Sequence, residues 1–182
     1  RFGLADGLAD TTSWGEITSL RKDLPLPSGV SHGEDFIQIL DPAVGTGTFL
    51  VEVIDLIYKT LTIKWTAEGH STKKINELWN EYVPKHLLTR LYGYELLMAP
   101  YVIAHLKIGL KLQETGYRFS NKERAHIYLS NALEPSVNYK EQMSFAIPAL
   151  AQESKAVNEV KKDRRFTVLI GNPPYSNFGQ LN

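Results

Sequence analysis

The ten residues Asp41-Pro42-Ala43-Val44-Gly45-Thr46-Gly47-Thr48-Phe49-Leu50 constrain this chain more than any others, because of what stands on either side of them. Before them runs the apolar stretch Phe36, Ile37, Ile39 and Leu40. After them Phe49, Leu50, Val53, Ile54, Ile57 and Leu61 recur at spacings of three and four. A short apolar run closed by a turn signal predicts a strand, and three-and-four spacing predicts a helix with one buried face, here leaving Glu52, Asp55 and Lys59 on the other. Strand, glycine loop and helix in this order open an α/β unit. The glycines let backbone approach a ligand closely, and the N–H groups at the helix start can receive a carboxylate or another anion. Two nucleotide-loop alternatives fit poorly. The dinucleotide fingerprint needs Gly or Ala where Leu50 stands, and the phosphate loop needs a Gly-Lys-Ser/Thr ending. Taken alone, the glycines are equally compatible with a purely structural turn.

The same alternation continues downstream. Residues 1–35 are rich in Gly, Asp, Ser, Thr and Pro and read as an irregular lead-in, with residues 36–182 as the domain proper. Residues 65–85 look like an insertion with a short helix around Ile75 to Tyr82, stopped near Pro84. Leu91 to Glu95 is a second strand, and Val102, Ile103, Leu106 and Leu110 trace one helical face that ends before Gly116. Ile127 to Leu129 is a third strand and Thr167 to Ile170 a fourth. Between them lies a Gln/Lys/Glu-rich helical segment at about 140–163. Strand and helix in turn predict an α/β doubly wound sheet.

Composition narrows the function classes. The chain has 182 residues, 43% of them hydrophobic, enough for a core. Lys+Arg 20 balance Asp+Glu 20, so any nucleic-acid contact must be local rather than a property of the whole surface. Cysteine is absent, which excludes disulfides and thiolate metal sites and is compatible with a reducing cytoplasm. No metal site and no membrane span are expected, since apolar stretches such as Phe49 to Ile57 are broken by Glu52 and Asp55. The expected protein is soluble and cytoplasmic.

Three further segments carry chemistry. Glu95 closes the second strand on the crevice side of such a sheet, where a carboxylate can accept both hydroxyl protons of a ribose. Ser130-Asn131-Ala132-Leu133 follows the third strand and can bring an amide and a backbone N–H to the edge of an adenine ring. Val168-Leu169-Ile170-Gly171-Asn172-Pro173-Pro174-Tyr175 runs from a strand into an amide, two prolines and an aromatic. The prolines fix the backbone and remove two N–H donors, leaving carbonyls as rigid acceptors. With the Asn172 oxygen and the Tyr175 ring, the set suits a planar substrate bearing an NH2 group.

The glycine loop followed by Asn172-Pro173-Pro174-Tyr175 resembles motifs I and IV of the N6-adenine DNA methyltransferases, in the order of the gamma subgroup. More narrowly, Ile39 to Leu50, Arg90 through Tyr101 to Lys107, Ile127 to Glu134 and Gly171 to Ser176 resemble the methyltransferase part of type ISP restriction-modification enzymes. The resemblance implies a Rossmann-like class I S-adenosylmethionine-dependent fold, of which this chain holds the first four strands of a mostly parallel seven-stranded sheet. It implies S-adenosylmethionine as cofactor. Asp41, Ala43, Gly45, Gly47 and Thr48 fall where the family holds the methionine part, Glu95 where it holds the ribose, and Asn131, in place of a more usual Asp, where it holds the adenine. Asn172, Pro173 and Tyr175 match the catalytic motif. Pro42, Leu96, Ala132 and Pro174 complete the expected site. The implied partners are double-stranded DNA with a flipped adenine and the remaining parts of a longer polypeptide: a target-recognition region, with helicase and nuclease domains where present.

His86 and His105 are set aside, because methylation of a well-placed exocyclic amine needs no general base. Lys161, Lys162, Arg164 and Arg165 form a basic cluster that reads either as a solvated helix end or as a contact to DNA phosphates. Three functions stay open beside DNA methylation: methyl transfer to RNA, methyl transfer to a protein glutamine amide, and a non-catalytic cofactor- or DNA-binding module. The chain starts at Arg1 and stops just after the catalytic motif, so it is expected to be part of a longer polypeptide whose fourth strand, exposed in isolation, would self-associate.

Overall fold

A computed structural model describes residues 2–120, 123–130, 157–158, 160–162 and 164–172. Its centre is a four-stranded parallel sheet built from β1 (Ile39–Asp41), β2 (Leu91–Glu95), β3 (His126–Leu129) and β4 (Val168–Leu169), in the order β3-β2-β1-β4. Ile39 pairs with Leu91 on one side and Val168 on the other, so the strand that leads into the glycine loop is internal. Parallel strands covered on both faces read as continuous apolar runs. That accounts for the wholly buried β1.

Side chains alternate between the two faces. Ile39, Leu91 and Ile127 point toward α2 (Thr48–Ala67) and α4 (Met98–Glu114), which bury Leu50, Val53, Ile54, Ile57 and Leu61 from the first and Ala104, Ile108 and Leu112 from the second. Leu40, Tyr92, Tyr94 and Tyr128 point the other way, against Val157, Val160 and Phe166. The crossover helices after β1 and β2 thus cover one face. The helical residues among 157–158 and 160–162 cover the other. Strand order therefore reverses between β1 and β4, at the topological switch point of an open α/β sheet.

The helix after β2 departs from the sequence expectation. Val102, Ile103, Leu106 and Leu110, expected to face the sheet, face outward, and Ala104, Ile108 and Leu112 face in. Both sets repeat at helical spacing, so periodicity identified a helix without telling which stripe meets the core. The smaller Ala104 is inside because α4 runs close over the start of α2. On α2 the expected face is buried except for Phe49, while Asp55 is half-buried and ion-paired with Lys59 and, at 2.7 Å, with Lys111 of α4.

The lead-in is more ordered than its composition predicts. Residues Trp14–Leu20 form α1, started by a capping box in which the Ser13 hydroxyl accepts from the Glu16 amide and the Glu16 carboxylate accepts from the Ser13 amide. Trp14 and Ile17 are buried with Phe36. The fully buried Arg90 donates to the Asp10 carbonyl and to the Tyr82 hydroxyl, which itself donates to the Ala9 carbonyl. A buried guanidinium needs such partners to offset desolvation, and here they tie the lead-in to the strand that follows.

The expected insertion is α3 (Thr72–Tyr82), continued by a π-type turn over Val83–Leu87; Pro84 has no N–H for the i−4 bond of a continuing α-helix, and the wider turn sits there. The fourth strand is two residues long rather than four, and Leu169 on it is 69% exposed. No described helix is long and apolar enough to cross a membrane.

Candidate functional site

The carboxyl edge of the sheet gathers the described parts of the segments singled out in the sequence. At the end of β1 the Asp41 carboxylate bends back on its own loop, Oδ1 accepting from the Ala43 amide at 3.0 Å. The loop then crosses to β2: Val44 donates to the Tyr94 carbonyl at 2.9 Å, and Gly45 donates to Glu95 Oε2 at 2.8 Å. Gly45 and Gly47 both have positive φ, at 56° and 82°, where L side chains are strained. α2 begins at Thr48, whose Oγ1 accepts from Lys107 Nζ of α4 at 3.2 Å.

Glycines do two different jobs at this edge. A Cβ on Gly47 would lie 3.1 Å from Ala104 Cα, so its missing side chain makes room for α4. Gly93 is bare because the Val44 side chain of the loop occupies the space a Cβ would need. The loop is thus seated by packing on β2 and α4 as well as by its hydrogen bonds.

β4 delivers the last segment to the same place. Ile170 donates to the Leu40 carbonyl at 3.0 Å, and a Cβ on Gly171 would be 2.7 Å from Asp41 Oδ1 and 3.4 Å from Pro42. Gly171, separated from Asp41-Pro42 by about 130 residues of chain, emerges exposed directly beside it and leads into the exposed Asn172. The close approach made by Gly171 was readable as a glycine before an Asn-Pro-Pro sequence, yet nothing in the sequence alone named its neighbour. Pro173, Pro174, Tyr175, Asn131 and Ala132 lie outside the described residues.

Two carboxylates stand at this edge of the sheet. Asp41 is fully buried and its Oδ2 has no hydrogen-bond partner; burial, opposed by the Ala43 N–H and reinforced by the nearby Glu95 charge, raises its pKa above the ordinary carboxylate value. Glu95 is half-buried, with Oε2 on Gly45 and Oε1 accepting from the Leu97 amide at 2.9 Å. Its backbone carbonyl accepts from Ser130 at 2.8 Å, which fixes the end of β3 beside it. Each carboxylate oxygen has two lone pairs, so Glu95 keeps acceptor capacity for a diol. Leu96 is exposed at the rim.

The other candidates are placed apart from this edge. His86 pairs through Nδ1 with Asp35 at 2.9 Å, and the His105 ring meets Tyr101 edge-on at 4.7 Å. Half of the basic cluster turns inward: Lys161 lies over the Tyr94 ring at 5.5 Å, and Arg164 lies over Tyr92 while pairing with Glu34 at 2.8 Å. Lys162 and Arg165 are exposed. An open groove lined by Lys73, Asn76, Asn80, Arg118 and Phe119 sits beyond the end of α4, at the opposite edge of the sheet, and holds none of the predicted site residues.

No protein-family model matches the chain, and no curated protein matches it. Among solved structures it is similar to a nuclease-deletion mutant of the Type ISP restriction-modification enzyme LlaGI in complex with a DNA substrate mimic (21% identity, 94% of this chain and 12% of that one, TM-score 0.48). It is similar also to a DrdV–DNA complex (24% identity, 94% and 13%, TM-score 0.47) and to the ATP-dependent Type ISP enzyme LlaBIII bound to DNA (20% identity, 97% and 10%, TM-score 0.49). The chain spans 10% to 13% of the length of these proteins.

Proposed function

We propose that this chain is the S-adenosylmethionine-binding and catalytic half of a DNA methyltransferase that modifies the N6 amino group of adenine, acting within a larger restriction-modification polypeptide. The observation that carries this reading is the meeting of Gly171, the residue before Asn172, with Asp41-Pro42 at the switch point between β1 and β4. Ligands of open α/β sheets bind there, and here it joins the two segments that resemble the cofactor loop and the catalytic motif. The four described strands are then the first four of a mostly parallel seven-stranded sheet.

The residues fit the cofactor. Asp41 Oδ2 is a buried acceptor without a partner, suited to an ammonium group, and the spare lone pairs of Glu95 suit the two hydroxyls of a ribose. Asp41, Pro42, Ala43, Gly45, Gly47 and Thr48 would hold the methionine part, Glu95 and Leu96 the ribose, and Asn131 and Ala132 the adenine. When bound, S-adenosylmethionine supplies an electrophilic methyl group.

The chain's own residues supply orientation. The Asn172 side-chain oxygen and the Pro173 carbonyl accept the two amino protons of an adenine flipped from the duplex, while Tyr175 stacks on its ring and Pro174 keeps the turn rigid. Holding both protons in one plane directs the nitrogen lone pair and raises its electron density, so catalysis is chiefly positioning with local electrostatic help. No covalent enzyme intermediate is required, and the proton left on nitrogen passes to solvent.

The test is labelled-methyl transfer from S-adenosylmethionine to DNA, RNA and protein in parallel, using the longer protein that contains this chain. Label in N6-methyladenine of DNA alone is the expected result. Label in RNA or in a glutamine amide would move the substrate class, and cofactor binding without transfer to any of them would make this a binding module.

A further inference from the structure

The groove between α3 and the turn after α4 is built by one side chain. Asn80 donates through Nδ2 to the Asn76 carbonyl at 2.9 Å and to the Gly116 carbonyl at 3.1 Å, and its Oδ1 accepts from the Arg118 amide at 2.9 Å. The turn is thereby stapled to α3. Gly116 reverses the chain with a φ of 81°, where L side chains are strained. Arg118 and Phe119 follow from this fixed backbone. The Phe119 ring, 44% exposed, meets the buried Tyr117 edge-on at 5.0 Å, and the Tyr117 hydroxyl donates to the Glu123 carboxylate.

Charge at the groove is one-sided. The carboxylates of α3, of the last turn of α4 and of the turn beyond it are engaged: Glu77 with Lys74 at 3.6 Å, Glu81 with Lys85 at 2.6 Å, Glu114 with Lys111 at 3.7 Å, and Glu123 with Tyr117 and the Ser120 amide. Lys73 and Arg118 are exposed, and among the described residues no carboxylate pairs with either. The exposed Asn76 and Gln113 amides add hydrogen-bond donors and acceptors beside them.

We infer that this groove holds a nucleic-acid strand, with phosphates at Lys73 and Arg118 and a base against the Phe119 ring. Two uncommitted cations fit an anion, an exposed aromatic on a fixed turn fits a flat ring, and the Asn76 and Gln113 amides fit the edge of a base. A nucleotide carries all three, and stacking on an aromatic beside a cationic track is how single strands are held without regard to sequence. A small ligand is enclosed by its pocket. This groove is open to solvent, which suits a chain that enters and leaves. It lies at the edge of the sheet opposite the cleft and shares no residue with it, so the inference does not rest on the methyl-transfer reading.

Photocrosslinking tests the inference in the longer protein that contains this chain, using an oligodeoxynucleotide that carries 5-iodouracil and mass spectrometry to identify the linked peptide. The expected result is a link at Phe119 whose yield falls roughly fivefold in Lys73→Ala and in Arg118→Ala. Both side chains are exposed, so the unfolding temperature and S-adenosylmethionine affinity should stay as in the wild type. Read at that peptide, the slope of log affinity against log salt concentration should shrink by about 0.7 for each cation removed. No link at Phe119, a yield that both variants keep in full, or an unchanged salt slope would each overturn the strand. Thymidine monophosphate competing as well as the oligonucleotide would overturn it in favour of a free nucleotide.

Discussion

Glu95 holds Gly45: the carboxylate that ends β2 accepts the amide proton of the glycine loop across a 2.8 Å hydrogen bond, with the Leu97 amide on its second oxygen. The residue read from sequence as a ribose acceptor is therefore also the clamp that sets the loop. Glu95→Gln keeps one acceptor and turns the other position into a donor that faces an N–H. Hydrogen bonds to charged groups are worth about 1.5–3 kcal/mol, so S-adenosylmethionine affinity should drop at least tenfold. Because the loop itself loosens, affinity for methionine should drop too, though less. Calorimetry with both ligands checks this; a variant that binds both as the wild type does would separate Glu95 from the site.

Gly47→Ala should act through folding first. The added Cβ would meet Ala104 at 3.1 Å in a backbone conformation with φ of 82°, two penalties that together should cost about 1–3 kcal/mol. A lowered unfolding temperature, relieved in part by Ala104→Gly, is the expected result. An unchanged unfolding temperature with lost cofactor binding would mean that the space belongs to the ligand after all.

Gly171→Ala probes the junction of the two motifs. Its Cβ would press on Asp41 Oδ1 at 2.7 Å, and neither buried carboxylate nor strand can give way cheaply. Displacement of about 1 Å near reacting groups can cost on the order of 100-fold in rate. Methyl transfer should fall by that order while Asn172 itself is intact. Wild-type turnover in this variant would show that the strand end need not sit so near the loop.

On the proposed mechanism Asn172→Ala removes an acceptor for the target amine and leaves Asp41, Glu95 and the loop as they are. Transfer should be abolished with cofactor affinity kept within roughly tenfold. Equilibrium binding and labelled-methyl assays on one preparation give both numbers, and loss of binding with undiminished transfer per bound cofactor would reverse the assignment.

His126, at the start of β3 with its ring 4.9 Å from Tyr92, gives the fold a dependence on pH. Burial, assisted by the Arg124 and Arg164 cations, lowers its pKa below the ordinary 6.5. The unfolded chain therefore binds more protons in the interval below 6.5, so the stability His126 contributes is whole above that pH and is lost as pH falls toward the folded-state pKa. The unfolding temperature should drop between about pH 7 and 5, and His126→Phe should drop less. Parallel declines in the two proteins would assign the effect to other groups.

The sequence was legible where pattern and chemistry coincided. The spacing of Leu50, Val53, Ile54 and Ile57 and the position of Glu95 at a strand end follow from local rules and stand in the fold as read, whereas the apolar run from Phe36 gives a strand only over Ile39–Asp41. It was not legible where two answers satisfied one pattern: Ala104, Ile108 and Leu112 compete with Val102, Leu106 and Leu110 for the same core, and only the closeness of α4 to Gly47 decides between them. The capping box at Ser13 and Glu16 was present in the letters, but a Gly- and Pro-rich composition masked a helix of seven residues. What Gly171 touches depends on a strand pairing across some 130 residues, and no local signal carries that.

That pairing sets an order of events during synthesis. β1 gains β2 after about 50 further residues, but its second neighbour, β4, only after about 130. Contacts so distant in sequence are slow to form because the loop between them must close first. A growing chain thus completes its glycine loop and the Glu95 clamp while one edge of the fully buried β1 still lies open, and an open apolar strand edge recruits other chains. The residues that cap the central strand leave the ribosome long after those they cover, so the segment that brings Gly171 beside Asp41 also closes an aggregation-prone interval in the life of the chain.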